Sequence, residues 1–327
     1  MMEWTDRHCR YFHRLLSPRA RLYTEMVTTG ALLHGDVARH LDFNGEEHPV
    51  ALQLGGSDPR ELAGCARLAQ RWGYDEVNLN CGCPSPRVQR GAFGACLMAE
   101  PHLVRDCVSA MRDAVSLPVT VKHRIGIDRG EEYGFVRDFV GIVGDGGCKV
   151  FIVHARNAWL DGLSPKRNRE VPPLRHDTVA QLKADFPQWT FVVNGGLVER
   201  SQIEHELALV DGVMLGRAAY HEPWRLIEWE GLAFEPTRRQ LPTRDTIELE
   251  MVGYMERCAA GDGTPWTAIA RHLMGLRLGQ PGARRWRQVW SDHRLRALPP
   301  GEVMRRAHQA MTDDWQANAC LEAAVTD

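Results

Sequence analysis

Short apolar runs recur along the chain, each followed by a stretch in which apolar positions return every three or four residues. The runs occupy 22–26, 50–54, 77–79, 119–121, 150–153, 191–193 and 212–215, mostly Val, Ile and Leu. Strands covered on both faces read this way. The helix-period stretches lie at 59–72, 102–115, 133–143, 178–186 and 202–209, with Asp58 and Asp177 as candidate N-caps. Strand followed by helix, repeated, predicts an α/β fold with a parallel sheet and crossover helices, either a TIM barrel or an open doubly wound sheet.

Seven runs are one short of a closed (β/α)8 barrel. A helix-period stretch at 5–16 opens the chain with no strand ahead of it, so a closed barrel wants a first strand upstream of Met1. After Phe234 the alternation stops. Pro236 and Pro242 flank a polar connector at 237–240. Helical patterns then follow at 247–258, 266–276, 283–290 and 303–312, with a frayed tail over the last dozen positions. The expected organisation is a barrel over 1–235 and a small helical bundle over 236–327.

Composition narrows the class. An apolar share of 44% is ample for a core. No run approaches the roughly 20 apolar residues of a membrane span. The opening is polar where a secretory leader is greasy, and nine scattered cysteines fit reduced cytoplasmic thiols. The net charge of −2 is unremarkable, but its distribution is not. Between Arg271 and Arg306 stand nine arginines, no lysine, and only Asp292 and Glu302 against them. Such a block suits a polyanion-binding face or a plain solvated surface.

In a parallel barrel, function gathers where strands end. Here the ends are Gln53, Asn80, Lys122 with Arg124, His154 with Arg156, Asn194-Gly195-Gly196, and Gly216-Arg217. Six strands bringing polar groups to one rim point to an active site. The two glycine turns let backbone approach a phosphate closely, and barrels often build phosphate sites after strands seven and eight. A lysine ending an apolar strand is costly to bury without an anionic or electron-rich partner. Cys81 and Cys83 form C-x-C, with no second Cys or His pair at ligand spacing, so no metal is expected.

The segment Asn78-Leu79-Asn80-Cys81-Gly82-Cys83-Pro84-Ser85, with Gly94-Ala95-Cys96-Leu97, resembles the signature of the tRNA-dihydrouridine synthases. Trp4-Thr5-Asp6-Arg7-His8-Cys9-Arg10, Tyr23-Thr24-Glu25-Met26, the run from His48 to Pro59, and Ser164-Pro165-Lys166 through Asn168-Arg169-Glu170 are similar to the A subfamily, which acts at positions 20 and 20a. The resemblance extends from Met1 to about Trp290. It implies FMN at the barrel mouth, reduced by NADPH (NADH being the alternative), and reduction of the C5–C6 bond of D-loop uridines. By the same resemblance Cys83 donates the proton to C5, Cys81 packs, and Gln53, Lys122 and His154 contact the flavin. Asn194, Gly195, Gly196, Gly216 and Arg217 hold its phosphate. The family opens with a strand ending Ala-Pro-Met that lines the flavin, and Met1 followed by Met2 stands there. Asn80, Lys166, Arg169, Arg284 and Arg287 match positions that meet tRNA at the D-loop and elbow, and the enzyme is expected to be a cytoplasmic monomer. Two other readings fit parts of the chain. One is a tRNA-binding protein without reductase activity, should the first strand be missing; the other is an FMN barrel reducing a free pyrimidine.

Overall fold

Each of the seven apolar runs forms a strand. The computed structural model describes residues 1–130, 132–235 and 241–325, the side chains of Arg87 and of 315–325 excepted. The strands are β1 (Leu22–Thr28), β2 (Val50–Gly55), β3 (Glu76–Cys81), β4 (Val119–Arg124), β5 (Val150–His154), β6 (Thr190–Asn194) and β7 (Gly212–Met214). All pair in parallel, in unbroken order from β1 to β7. With helices on the outside this is the (β/α)8-type barrel arrangement carried by seven strands, followed by a C-terminal helical region. The chain divides into two compact units, Met1–Arg10 with Arg19–Gly216, and Tyr11–Pro18 with Arg217–Asp327.

The helices of the first unit begin and end where local chemistry directs. Helix Pro59–Trp72 is capped by the Asp58 carboxylate, which accepts from the N–H of Arg60 at 2.8 Å and of Glu61 at 3.0 Å. Its buried face is Leu62, Cys65, Ala66 and Ala69. Helices Pro101–Ala114, Tyr133–Asp145, His176–Asp185 and Arg200–Leu207 follow their strands likewise. Asp177 is not an N-cap: the helix starts one residue earlier, at His176, which puts Asp177 in the first turn. There it still faces the positive end of the helix dipole. Two short helices after β1, Thr29–His34 and Val37–Leu41, have no counterpart in the sequence reading.

In the second unit the Tyr11 and Tyr254 rings stack at 4.0 Å, and Arg257 donates to the Tyr11 hydroxyl at 2.9 Å. The stretch expected as one helix at 266–276 is α-helical over Trp266–Ala270 and tightens to a 3-10 turn over Arg271–Gly275. Helix Ala283–Trp290 buries Ala283, Trp286 and Trp290. Helix Pro300–Val325 continues well beyond 303–312 and covers much of the stretch read as a tail. The connector at 237–240 and residues 326–327 lie outside the described residues. Among the described residues, no helix is long and apolar enough to cross a membrane.

Candidate active site

At the carboxyl end of β3 the chain leaves the sheet through Cys81-Gly82-Cys83. Cys81 faces the core and is fully buried, which pushes its thiol well above the ordinary value. Cys83, two residues on, is half-buried. Two side chains hold its loop. Asn80 Oδ1 accepts from the backbone N–H of Gly82 at 3.1 Å and of Cys83 at 3.0 Å. From the neighbouring strand, Arg124 Nε donates to the Gly82 carbonyl at 3.1 Å. The same guanidinium donates to the carbonyls of Asn157 at 3.2 Å and Asn168 at 3.0 Å, so one buried cation ties three loops together. Burial lowers its pKa to about 10.

Lys122 lies one alternation before Arg124 on the same face of β4. Its ammonium donates to Asn194 Oδ1 at 3.2 Å across the intervening β5. Among the described residues no carboxylate pairs with it, and burial lowers its pKa to about 8, with Arg124 adding to the effect. Cys83 is within electrostatic reach of both Lys122 and Arg124. The Met1 amine is buried near Glu25, Cys9 and Lys122 and falls to about 6, chiefly by burial. A buried cation facing only an amide has spare donor capacity for an electron-rich or anionic group.

The turn after β6 is shaped for close approach. Gly195 has φ +117° and Gly196 φ +71°, conformations that favour glycine. A methyl group on Gly195 would meet the His154 ring at 2.7 Å, which puts His154 against this turn. The Gly195 carbonyl lies 2.7 Å from His176 Nε2. At the end of β7, Met1 Sδ is 3.5 Å from where a Gly216 Cβ would stand.

The structure thus gathers Gln53, Asn80 and Cys83 into one hydrogen-bonded file, sets Lys122 on Asn194, and brings His154 to Gly195 and Met1 to Gly216. Met2, which is 58% exposed, is not brought into this group. Arg217 opens the short helix Arg217–His221 in the second unit. Lys166 and Arg169 are exposed on the turn beyond β5, a turn stapled by buried Asn168, whose side chain exchanges two 2.8 Å hydrogen bonds with the Trp159 backbone. Arg124 was expected at the rim but given no role, and Asn78 and Asn168 were not among the expected site residues. Their signal was the strand alternation, which sets Arg124 beside Lys122 and Asn78 beside Asn80, and the Asn168 that interrupts a run of charged residues.

The second unit sorts the arginine block by pairing. Arg277 is buried against Asp245 and Glu248. Arg285 pairs with Asp314, Arg294 with Asp292, and Arg305 and Arg306 with Glu302. Arg284 is exposed, and Arg287 is half-exposed at the flank of the buried face of helix Ala283–Trp290. Neither pairs with a carboxylate among the described residues.

The sequence model of the dihydrouridine synthase family matches residues 1–311. A protein of Pseudomonas syringae pv. tomato is 57% identical over 291 residues, 89% of this chain and 86% of its own length. One from Vibrio cholerae is 52% identical over 312 residues, covering 95% and 94%. One from Synechocystis is 53% identical over 311 residues, covering 95% and 92%. All three bear the name tRNA-dihydrouridine(20/20a) synthase.

Proposed function

The chain belongs to the dihydrouridine synthase family, and we propose that it reduces D-loop uridines of tRNA, at positions 20 and 20a, with FMN as cofactor and NADPH as reductant. The observation that carries this reading is a half-buried thiol on a doubly held loop, within electrostatic reach of a buried lysine that pairs with no carboxylate among the described residues.

The residues fit a flavin. Lys122 would offer donors to an electron-rich ring, and Gln53 on β2 and His154 on β5 would contact it. Gly195 and Gly196, with Gly216 on the next strand, leave backbone open to a phosphate, and Arg217 follows in the chain. A reduced flavin held there would supply the hydride for C6 of the uracil. Cys83 supplies the proton to C5: its S–H bond breaks as the C5–H bond forms, and water later returns the proton to sulfur. Lys122 and Arg124 stabilise the thiolate in between. The uridine must leave the stack to meet them, so phosphate contacts position the tRNA while the pocket selects the base. Asn80, Lys166 and Arg169 line the approach in this reading, and the protein works as a monomer in the cytoplasm.

The purified protein should be yellow and lose its colour on denaturation. Anaerobic NADPH should bleach it, and unmodified tRNA should restore the oxidised spectrum. A colourless protein that still retards tRNA in a gel would mean binding without reduction.

Lys122→Met should weaken FMN binding about tenfold or more, the scale of a lost charge-assisted hydrogen bond. The same change should leave the flavin-free fold at least as stable at pH 7. Folding holds Lys122 at about 8, below its ordinary 10.5. Its charge therefore costs stability below about pH 8, and the cost is relieved as pH rises from there toward 10.5. Fluorescence titration with FMN and thermal melts at pH 7 and 10 check both parts.

Arg284→Ala combined with Arg287→Ala should weaken tRNA binding and reduce the slope of log affinity against log salt by roughly one to two. Filter binding over a salt series measures it. An unchanged slope would make these arginines ordinary solvated surface.

A further inference from the structure

Within the barrel unit a single file of polar side chains connects the amino-terminal end of β3 to the loop bearing Cys83. Tyr23 and Thr120 hydroxyls donate to Glu76 Oε1, at 2.9 and 2.7 Å. Asn78 Nδ2 donates to Thr120 Oγ1 at 2.8 Å. Gln53 Nε2 donates to Asn78 Oδ1, and Asn80 Nδ2 to Gln53 Oε1, each at 2.9 Å. Asn80 Oδ1 then accepts from Gly82 and Cys83. Glu76, Asn78, Asn80 and Thr120 are buried, so water does not compete along most of the file.

Every donor in this file points toward Glu76. That direction is not arbitrary. An amide side chain can turn over with no change of shape, exchanging donor for acceptor. Here the ends decide. Burial pushes the Glu76 carboxyl up, while the Thr120 hydroxyl, Arg21 at 3.3 Å and the Tyr23 hydroxyl pull it back. As a carboxylate it only accepts, so the Thr120 proton is committed to it and the Thr120 lone pair faces Asn78 Nδ2. The far ends of Asn78 and Gln53 are then oxygens, and each receives the next amide. At the mouth, two backbone N–H groups require an oxygen of Asn80. Both requirements agree, and a reversed amide anywhere would set two donors or two acceptors face to face in a buried site.

We propose that Glu76, Thr120 and Asn78 are positioning residues for the Cys83 loop, the carboxylate at the closed end of the barrel setting the direction of the hydrogen bonds that hold Asn80 Oδ1 on Gly82 and Cys83. The functional consequence rests on Cys83 as the proton donor; the structural claim does not. A loop held from beneath keeps the thiol at one place while a tRNA enters. Gln53, in the middle of the file, presents a fixed face to the flavin for the same reason.

Thr120→Val removes the hydroxyl at nearly constant shape, and Thr120→Ser restores it. Hydrogen exchange of the flavin-free protein reads the result at the backbone N–H groups of Gly82 and Cys83. Thr120→Val should raise their exchange about tenfold, as expected for losing the order of one buried hydrogen-bonded link. Exchange in β5 and β6 should stay unchanged, and serine should bring back the natural rate at Gly82 and Cys83. In the loaded enzyme the valine variant should lower kcat about tenfold with KM for tRNA unmoved, serine again restoring it. If valine does not fold, Thr120→Ala, which cannot clash, carries the same expectation. Exchange at Gly82 and Cys83 equal to that of the natural protein in the folded variant would overturn the proposal. Undiminished turnover of Cys83→Ala would instead remove the acid role and leave the exchange result to judge the file alone.

Discussion

Cys83→Ala is expected to bind FMN and accept electrons from NADPH as the natural protein does, yet to form dihydrouridine about 10²–10⁴-fold more slowly, the range of a lost general acid. Hydride transfer to C6 leaves negative charge at C5 and its neighbouring carbonyl, and a proton must arrive as that charge develops. A thiol carries the one proton that this step needs. Its loop is held by Asn80 and Arg124, so the donor waits at a fixed place. Alanine removes the donor and little else, because the contacts that fix the loop are to backbone atoms of Gly82 and Cys83. Stopped-flow reoxidation of the reduced enzyme by tRNA separates this step from flavin reduction. An unchanged reoxidation rate would take Cys83 out of the reaction.

Glu248→Ala should cost the second unit about 3–5 kcal/mol, the scale on which removing one partner of a buried ion pair destabilises a protein. Glu248 is fully buried. It accepts from Trp286 Nε1 at 2.7 Å, Trp290 Nε1 at 2.8 Å and Arg277 Nη2 at 2.6 Å, with His308 Nε2 at 2.9 Å. Burial alone would push its carboxyl up, but His308 and Arg277 hold it below the ordinary carboxylate value. Its contribution is therefore present above the unfolded pKa and lost as pH falls through the lower folded one. Alanine leaves the buried guanidinium with Asp245 as its one carboxylate among the described residues, and takes the acceptor from two indole N–H groups. Urea unfolding followed by tryptophan fluorescence reads it, and a midpoint unchanged within error would refute the role. Asp245, Glu248 and His308 could be mistaken for a metal site. Arg277 already occupies the position a cation would take.

The strands were legible where both faces are covered, as in β2, which is buried except at Gln53 and reads as an apolar run. The short helices after β1 were not, since five or six residues hold too few turns to display a period. Polar strand ends announced the rim, and Lys122, Asn194, Asn80 and Cys83 come together there. What lay beneath the rim was harder to read. Glu76, Asn78 and Asn80 alternate along β3 and so share a face, but nothing in one strand says that Thr120, 42 positions from Asn78, completes the file. The arginine block had the same difficulty. Its excess charge could be counted, but Arg277 is neutralised by Asp245 and Glu248, 32 and 29 positions away, and only the fold separates it from Arg284 and Arg287. Pairing over long sequence distances is a tertiary fact, and composition averages over it.

The central claim is that this chain turns uridine into dihydrouridine within tRNA. Unmodified tRNA incubated with the protein, FMN and NADPH, then digested and mapped by mass spectrometry, tests it directly. The expected result is a gain of two hydrogens on D-loop uridines at positions 20 and 20a, abolished by omitting NADPH and nearly abolished by Cys83→Ala. Flavin bound and tRNA bound, with every uridine mass unchanged, would contradict it.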